Sequence, residues 1–137
     1  MRPASADDAA PISRLLLQLT HHRRPPDAVA ASLASGVEQV LVAEQEGTVI
    51  GVASLQIHRM LHQERPAGRL TVLVVDRAHR RQGAGEALLD EVTKLAGLAG
   101  CSGIELTTAT HREEAHRFYQ RRGFQATSLK FWRPVER

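Results

Sequence analysis

Two arginines stand just ahead of two closely spaced glycines in Asp76-Arg77-Ala78-His79-Arg80-Arg81-Gln82-Gly83-Ala84-Gly85. Leu70-Thr71-Val72-Leu73-Val74-Val75 precedes this stretch. It is β-branched and apolar on both faces, as a central strand covered on both sides must be. From Gly83 or Ala84 to about Ala99, the residues Leu88, Val92, Leu95 and Ala99 make one helical stripe. A strand, a basic loop, glycines and a helix make a site for an anion. The first turn of a helix presents unpaired N–H groups and partial positive charge. Glycines let a phosphate approach that backbone with no Cβ in the way. Arg80 and Arg81 add cationic charge, and a diphosphate is the natural ligand.

Three other phosphate loops fail against these residues. A Walker loop needs Lys-Ser/Thr after its last glycine, and Glu86-Ala87 follows Gly85. A dinucleotide fingerprint needs a third glycine where Leu88 stands, and its first glycine nearer the strand end than Gly83. A kinase glycine loop joins two strands, and here a helix follows.

A second group lies downstream, in Ala115-His116-Arg117-Phe118-Tyr119-Gln120-Arg121-Arg122-Gly123-Phe124. The pattern predicts a helix over Arg112–Arg122 stopped by Gly123. On it Tyr119 shares a stripe with Arg112 and His116.

Arg80-x-x-Gly83-x-Gly85 between a strand and a helix resembles the coenzyme A loop of the GNAT-type N-acetyltransferase superfamily. Ala115-x-x-Phe118-Tyr119-x-x-x-Gly123-Phe124 resembles that family's second hallmark, and the order of elements matches across nearly the whole chain. The resemblance implies acetyl-CoA as co-substrate. Backbone N–H groups of Gln82, Gly83, Ala84 and Gly85, with Arg80 and Arg81, would hold its diphosphate. The strand Thr71–Val75 would splay from Ile104–Thr108, and the pantetheine arm would pair with backbone at Val74 and Val75, as an added strand does. Arg112, Ala115 and Tyr119 would complete the coenzyme site. Transfer would be direct attack by a primary amine, that of a small molecule, in a ternary complex. Tyr119 would protonate the departing thiolate, and a backbone N–H near Val74–Val75 would meet the oxyanion.

The base departs from the family pattern. Many relatives carry a glutamate at or near Thr71 or Val72, and this chain has none there. Glu64 on the preceding loop is the assigned candidate; His58, Glu105 and a water chain are alternatives. Orientation of the reactants supplies much of the acceleration, so a weak base is tolerable. His111-Arg112 stands where relatives often have asparagine. With Thr127-Ser128-Leu129-Lys130-Phe131, it is similar to members acting on aminoalkylphosphonates.

Other reactive residues read more plainly. Cys101 precedes a strand, and this chemistry requires no thiol. His58 and His62 fall on a strand end and a loop with no carboxylate at ligand spacing, so no metal is expected. Arg23-Arg24 and Arg121-Arg122 read as solvated surface, because aromatics at 4% leave few platforms for stacking bases. No nucleic acid partner is expected. The arginine-rich charge also fits a base-composition bias.

The 137 residues suffice for one domain, spanning 1–137, and not for two. No apolar run reaches the roughly 18 residues a membrane helix needs. Asp7 and Asp8 stand where a signal peptide would be basic. A single cysteine excludes an internal disulfide. A cytoplasmic setting without membrane attachment is expected. The elements that must position the loop and Tyr119 alternate as in an α/β protein. A short strand at 2–4 leads to a helix at Asp8–Thr20 bearing Ile12, Leu15, Leu16 and Leu19. A second helix near Asp27–Ser35 follows, then strands Gln39–Glu44 and Thr48–His58 around Glu46-Gly47. Leu61–Gly68 is a loop. Strand Ser102–Ala109 follows the long helix, and Phe124–Arg133 supplies one or two last strands where Phe131 and Trp132 pack. The expectation is a single GNAT-type fold: a mixed, largely antiparallel sheet of six or seven strands with helices on both faces.

The leading activity is acetyl-CoA-dependent N-acetyl transfer; the residues do not set an oligomeric state, and the resemblance, to a family in which dimers are frequent, implies a homodimer. The alternatives are a non-catalytic acyl-CoA-binding or regulatory module and, further off, a basic nucleic-acid-binding protein. The turn His21-His22-Arg23-Arg24 favours an anionic acceptor, with a protein N-terminus or lysine as the alternative.

Overall fold

Glu46-Gly47 turns the chain between β2 (Gln39–Gln45) and β3 (Thr48–His58). Both turn residues hold positive φ, 51° and 78°. That suits a two-residue turn whose twist matches its flanking strands. Gln45 pairs with Thr48 across it. On one side β1 (Arg2–Pro3) pairs antiparallel with β2, and on the other β3 pairs antiparallel with β4 (Ala67–Val75). β5 (Ile104–Glu105) lies parallel to β4. In a computed structural model describing residues 1–136, the order β1-β2-β3-β4-β5 makes an open mixed sheet of five strands. The chain divides into two units, Met1–Glu105 and Leu106–Arg137.

The sheet of six or seven strands is therefore corrected to five among the described residues. Residues 124–136 form no strand, and Phe131 and Trp132 stand exposed instead of packing. An apolar run becomes a strand only where a neighbour takes its N–H and C=O groups, and no described segment pairs with this one. The Lys130 ammonium lies 5.5 Å from the Trp132 ring centroid instead. The strand expected over Ser102–Ala109 shrinks to Ile104–Glu105, because only Gly68↔Ile104 and Arg69↔Glu105 pair. The strand expected from Leu70 begins earlier, at Ala67. Gly68 N–H donates to the Gly103 carbonyl at 2.9 Å and Ser102 N–H to that of Pro66 at 2.9 Å, which draws the end of the loop into the sheet.

In the unit Met1–Glu105, alternation along the strands sorts the core onto two faces. On one face Val42, Val52 and Val74 meet Ile12 and Leu15 of α1 (Ala9–Thr20) and Val29 of α2 (Pro26–Ser35). On the other, α3 (Ala84–Leu98) packs on β3 and β4, with its Leu88, Leu89, Val92 and Ala96 buried, as is Leu55 of β3. Glycines let α3 sit close. A Cβ on Gly51 would stand 3.0 Å from Leu88 Cδ1, and one on Gly68 would stand 3.2 Å from Ala96 Cβ. Each fully buried leucine or valine contributes about 1.5–3 kcal/mol. In the unit Leu106–Arg137, α4 (Glu113–Arg121) is the one helix among the described residues.

A buried acid ties the N-terminus to this core. Asp8 is 4% exposed and accepts two bonds from the Arg2 guanidinium, at 2.8 and 2.9 Å, and one from Ser5 N–H at 2.7 Å. These bonds, Arg2 foremost, hold its carboxyl down to about 2, against 3.8 for a free aspartate. A carboxyl depressed in the fold stabilises it fully above its unfolded pKa, and that stabilisation is lost as pH falls through the folded value. A shift of this size corresponds to about 2 kcal/mol. Asp8→Asn is expected to lower the thermal midpoint at pH 7 by roughly 5–10 °C. Melting curves at pH 7 and pH 2 check this, since the two proteins should converge at the lower pH.

Candidate active site

β4 delivers the chain into the loop that the sequence marks. Asp76 N–H donates to the Ile50 carbonyl at 2.8 Å, so the strand stays anchored to its last residue. A single helical turn at Arg77–His79 follows, and the chain reaches α3 through Arg80, Arg81, Gln82 and Gly83. Arg81 and Gly83 both hold left-handed backbone, with φ of 65° and 85°. The first α3 bond runs from Ala87 N–H to the Gly83 carbonyl at 3.0 Å. The N–H groups of Gln82, Gly83, Ala84 and Gly85 find no acceptor among the described residues. A Cβ built on Gly83 meets nothing within 4 Å, so the approach to these amides is open. Arg80 Nε donates to the Val75 carbonyl at 3.1 Å, folding that cation back over the strand end. Four amides at the start of a 15-residue helix, with Arg80 and Arg81 beside them, fit a diphosphate.

The edge of β4 supplies the second part. Its ladder with β5 ends at Arg69↔Glu105, and residues 70–75 pair with no strand on that side among the described residues. Val74 is buried and Val75 half-buried. An extended arm that offers amide groups can pair with such an edge.

Two side chains that sequence reading passed over stand at this strand. Gln18 of α1 donates from Nε2 to Asp76 Oδ1 and accepts from Arg77 N–H, each at 3.1 Å. It thereby clamps the start of the loop to α1. The Gln18 amide, with His79 at 3.2 Å, holds the Asp76 carboxyl below its usual range against the opposing effect of burial. Glu38, just before β2, accepts a hydrogen bond from the Thr71 hydroxyl. Both contacts join residues more than thirty positions apart. For Glu38 the only advance signal is the strand register, which sets Val40, Ser54 and Val72 side by side.

The other expected residues are dispersed. Glu64 is exposed on the connection between β3 and β4 and has no partner among the described residues. Glu105 faces Arg69 at 3.5 Å. His58, at the end of β3, has a buried Nε2 with no hydrogen-bond partner among the described residues. Cys101 is 7% exposed, with its N–H bonded to the Ala96 carbonyl at 3.0 Å and its own carbonyl receiving Arg65 Nη2 at 3.0 Å.

In the unit Leu106–Arg137, α4 carries Ala115 and Tyr119, both half-buried, and Arg112 precedes its first turn. The Tyr119 ring is wedged edge-on between Phe118, at 5.2 Å, and Phe124, at 5.6 Å. Burial pushes its phenol pKa up, outweighing the opposing charge of Arg112. At neutral pH the phenol therefore keeps its proton, as an acid must. His116 Nε2 lies 2.9 Å from the Ala109 carbonyl, bracing the start of α4.

A family model described as the acetyltransferase (GNAT) family matches residues 10–124. The aminoalkylphosphonate N-acetyltransferase of Salmonella typhimurium is 30% identical over an alignment of 135 residues that covers 96% of this chain and 88% of that protein. Human N-acetyltransferase 8 is 37% identical over 92 residues, 66% of this chain and 40% of its own length. Among solved structures, an aminoglycoside N-acetyltransferase in complex with CoA shares the fold. Its TM-score is 0.84 at 22% identity, covering 97% of this chain and 92% of that one. Members of this family use acetyl-CoA as co-substrate. With its matched region running from α1 to the end of α4, the chain belongs to the GNAT family of acetyltransferases.

Proposed function

We propose that this protein transfers an acetyl group from acetyl-CoA to the primary amine of a small anionic molecule. One observation carries the reading: the open row of amides at Gln82–Gly85, flanked by Arg80 and Arg81, at the end of a strand with a free edge. Acetyl-CoA supplies an activated acyl group on a good leaving group. The chain's residues bind and orient it. Arg80, Arg81 and the amides of Gln82, Gly83, Ala84 and Gly85 take the diphosphate. Backbone at Val74 and Val75 takes the arm and offers an N–H to the oxyanion. Arg112 and Ala115 complete the coenzyme site. Tyr119 protonates the sulfur, for which its raised pKa suits it. Glu64 is the sequence's candidate to take the amine's proton. Attack is direct, with no covalent enzyme intermediate.

The acceptor class follows from two supports. The Salmonella relative acts on aminoalkylphosphonates and matches nearly the whole chain. The turn after α1 carries His21, His22, Arg23 and Arg24, all exposed and able to draw an anion. In this reading residues 1–137 act as a single domain, for which a family match across both units speaks. The protein works in the cytoplasm as a homodimer. No described helix is long and apolar enough to cross a membrane.

Incubation with acetyl-CoA and a panel of amines, with detection of released thiol, tests the reading. Release is expected with 2-aminoethylphosphonate above simple alkylamines. Coenzyme-induced thermal stabilisation without thiol release from any amine would instead establish a non-catalytic acyl-CoA-binding module.

A further inference from the structure

We infer that Glu38, held on β4 by Thr71, is the carboxylate that binds the acceptor ammonium and takes its proton. The inference rests on the acetyl-transfer reading above and assigns to Glu38 the task that sequence reading gave to Glu64.

The register of the sheet brings Glu38 to this place. Ser54 pairs with Val72 and Leu55 with Leu70, so Thr71 is an extra residue in β4, a bulge. A bulge re-aims side chains, and Thr71, exposed on the strand, sends its hydroxyl to Glu38. The Ser54 carbonyl lies 3.3 Å from the same hydroxyl oxygen, so the hydroxyl is flanked by two acceptors. The other Glu38 oxygen accepts no bond among the described residues, and the side chain is partly open to solvent. Ser54, whose carbonyl meets this hydroxyl, is only 4% exposed, and its own Oγ has no partner among the described residues. The spot thus offers a charged acceptor with spare capacity beside a backbone carbonyl. An ammonium donates three hydrogens and carries the matching charge.

The position also suits the reaction. The free edge of β4 runs from Leu70 to Val75, roughly 16 Å at about 3.3 Å per residue. The amide row lies just past its C-terminal end, and Thr71 lies near the other end. An arm that enters from Gln82–Gly85 and pairs at Val74 and Val75 has its acyl end directed along this edge toward Thr71, so an acceptor amine approaches from the side where Glu38 lies. The protons balance there. The acceptor nitrogen loses two. Glu38 takes the first and passes it to water. The second offsets the proton that Tyr119 delivers to sulfur. The nitrogen lone pair forms the C–N bond as the C–S bond breaks, its electron pair leaving on sulfur.

The test measures steady-state kinetics of Glu38→Gln, Glu64→Gln and Thr71→Val against acetyl-CoA and 2-aminoethylphosphonate. Glu38→Gln is expected to lower kcat/KM for the amine about 100-fold. Its KM for acetyl-CoA and its coenzyme-induced thermal shift should stay as in the parent. Thr71→Val leaves the carboxylate but frees it from β4, and a loss of about tenfold is expected. Near-parental kcat/KM in Glu38→Gln, or a larger loss in Glu64→Gln, overturns the assignment while leaving acetyl transfer standing. Should Glu38→Gln fail to fold, parental activity in Thr71→Val would overturn it equally. Absence of thiol release from the parent protein with every amine removes both readings.

Discussion

Gly83→Val is expected to abolish acetyl-CoA binding while leaving a folded protein. Gly83 has φ of 85°, and its missing Cβ would point into open space, with no atom within 4 Å. A side chain there therefore meets nothing inside the protein. The fold bears only the backbone cost of a left-handed, β-branched residue, about 1–2 kcal/mol. The cost to the ligand is far larger. A valine side chain would project from the middle of the amide row Gln82–Gly85, where a phosphate has to close on the backbone. For the parent, acetyl-CoA at one hundred times its Kd should add about 2.7 kcal/mol of stability. In Gly83→Val that increment should vanish, while the ligand-free melting point falls by only a few degrees. Differential scanning fluorimetry with and without coenzyme separates the two effects. A full coenzyme shift in the variant would show that the diphosphate binds elsewhere.

Tyr119→Phe is expected to lower kcat about 100-fold with little change in KM for acetyl-CoA. The phenylalanine ring preserves the edge-on contacts with Phe118 and Phe124, at 5.2 and 5.6 Å. Stability should therefore hold, and the lost hydroxyl alone should account for the rate. The hydroxyl makes no hydrogen bond among the described residues, so its removal leaves no buried partner stranded. Because burial raises the phenol pKa, the limb of the parent's kcat profile that reports Tyr119 should fall at alkaline pH, above the ordinary tyrosine value of 10.0. In the variant that alkaline limb should disappear. Stopped-flow or steady-state thiol release across pH checks both points, and parental turnover would remove Tyr119 from the reaction.

Local signals in the sequence are the ones that survive in the fold. Glu46-Gly47 marks its hairpin because both residues must adopt positive φ. Ile12 and Leu15 mark the buried face of α1 by spacing alone, and Leu88 and Val92 do so for α3. The coenzyme loop is legible because its chemistry is backbone chemistry, with strand, glycines and helix contiguous between Ala67 and Leu98. Pairing is a different matter. Phe124–Arg133 has strand-like composition, but composition carries no information about a partner, and the segment stays outside the sheet. Ser102–Ala109 fails for the same reason beyond Glu105. Glu38 and Gln18 are not legible because each acts on a residue distant in sequence, Glu38 across a register that a bulge at Thr71 offsets and Gln18 from helix α1. The absent glutamate near Thr71 drew attention along β4, whereas a carboxylate reaches that strand from the start of β2.

The burial of Cys101 has a practical consequence. The chain holds a single sulfhydryl, and the fold encloses it between the end of α3 and the Arg65 side chain. Disulfide reagents added to the native protein therefore meet almost no endogenous signal, and colour development counts coenzyme turnover. Under denaturant the same sulfhydryl becomes an intrinsic clock: its labelling rate follows how often the region around the C-terminal end of α3 opens.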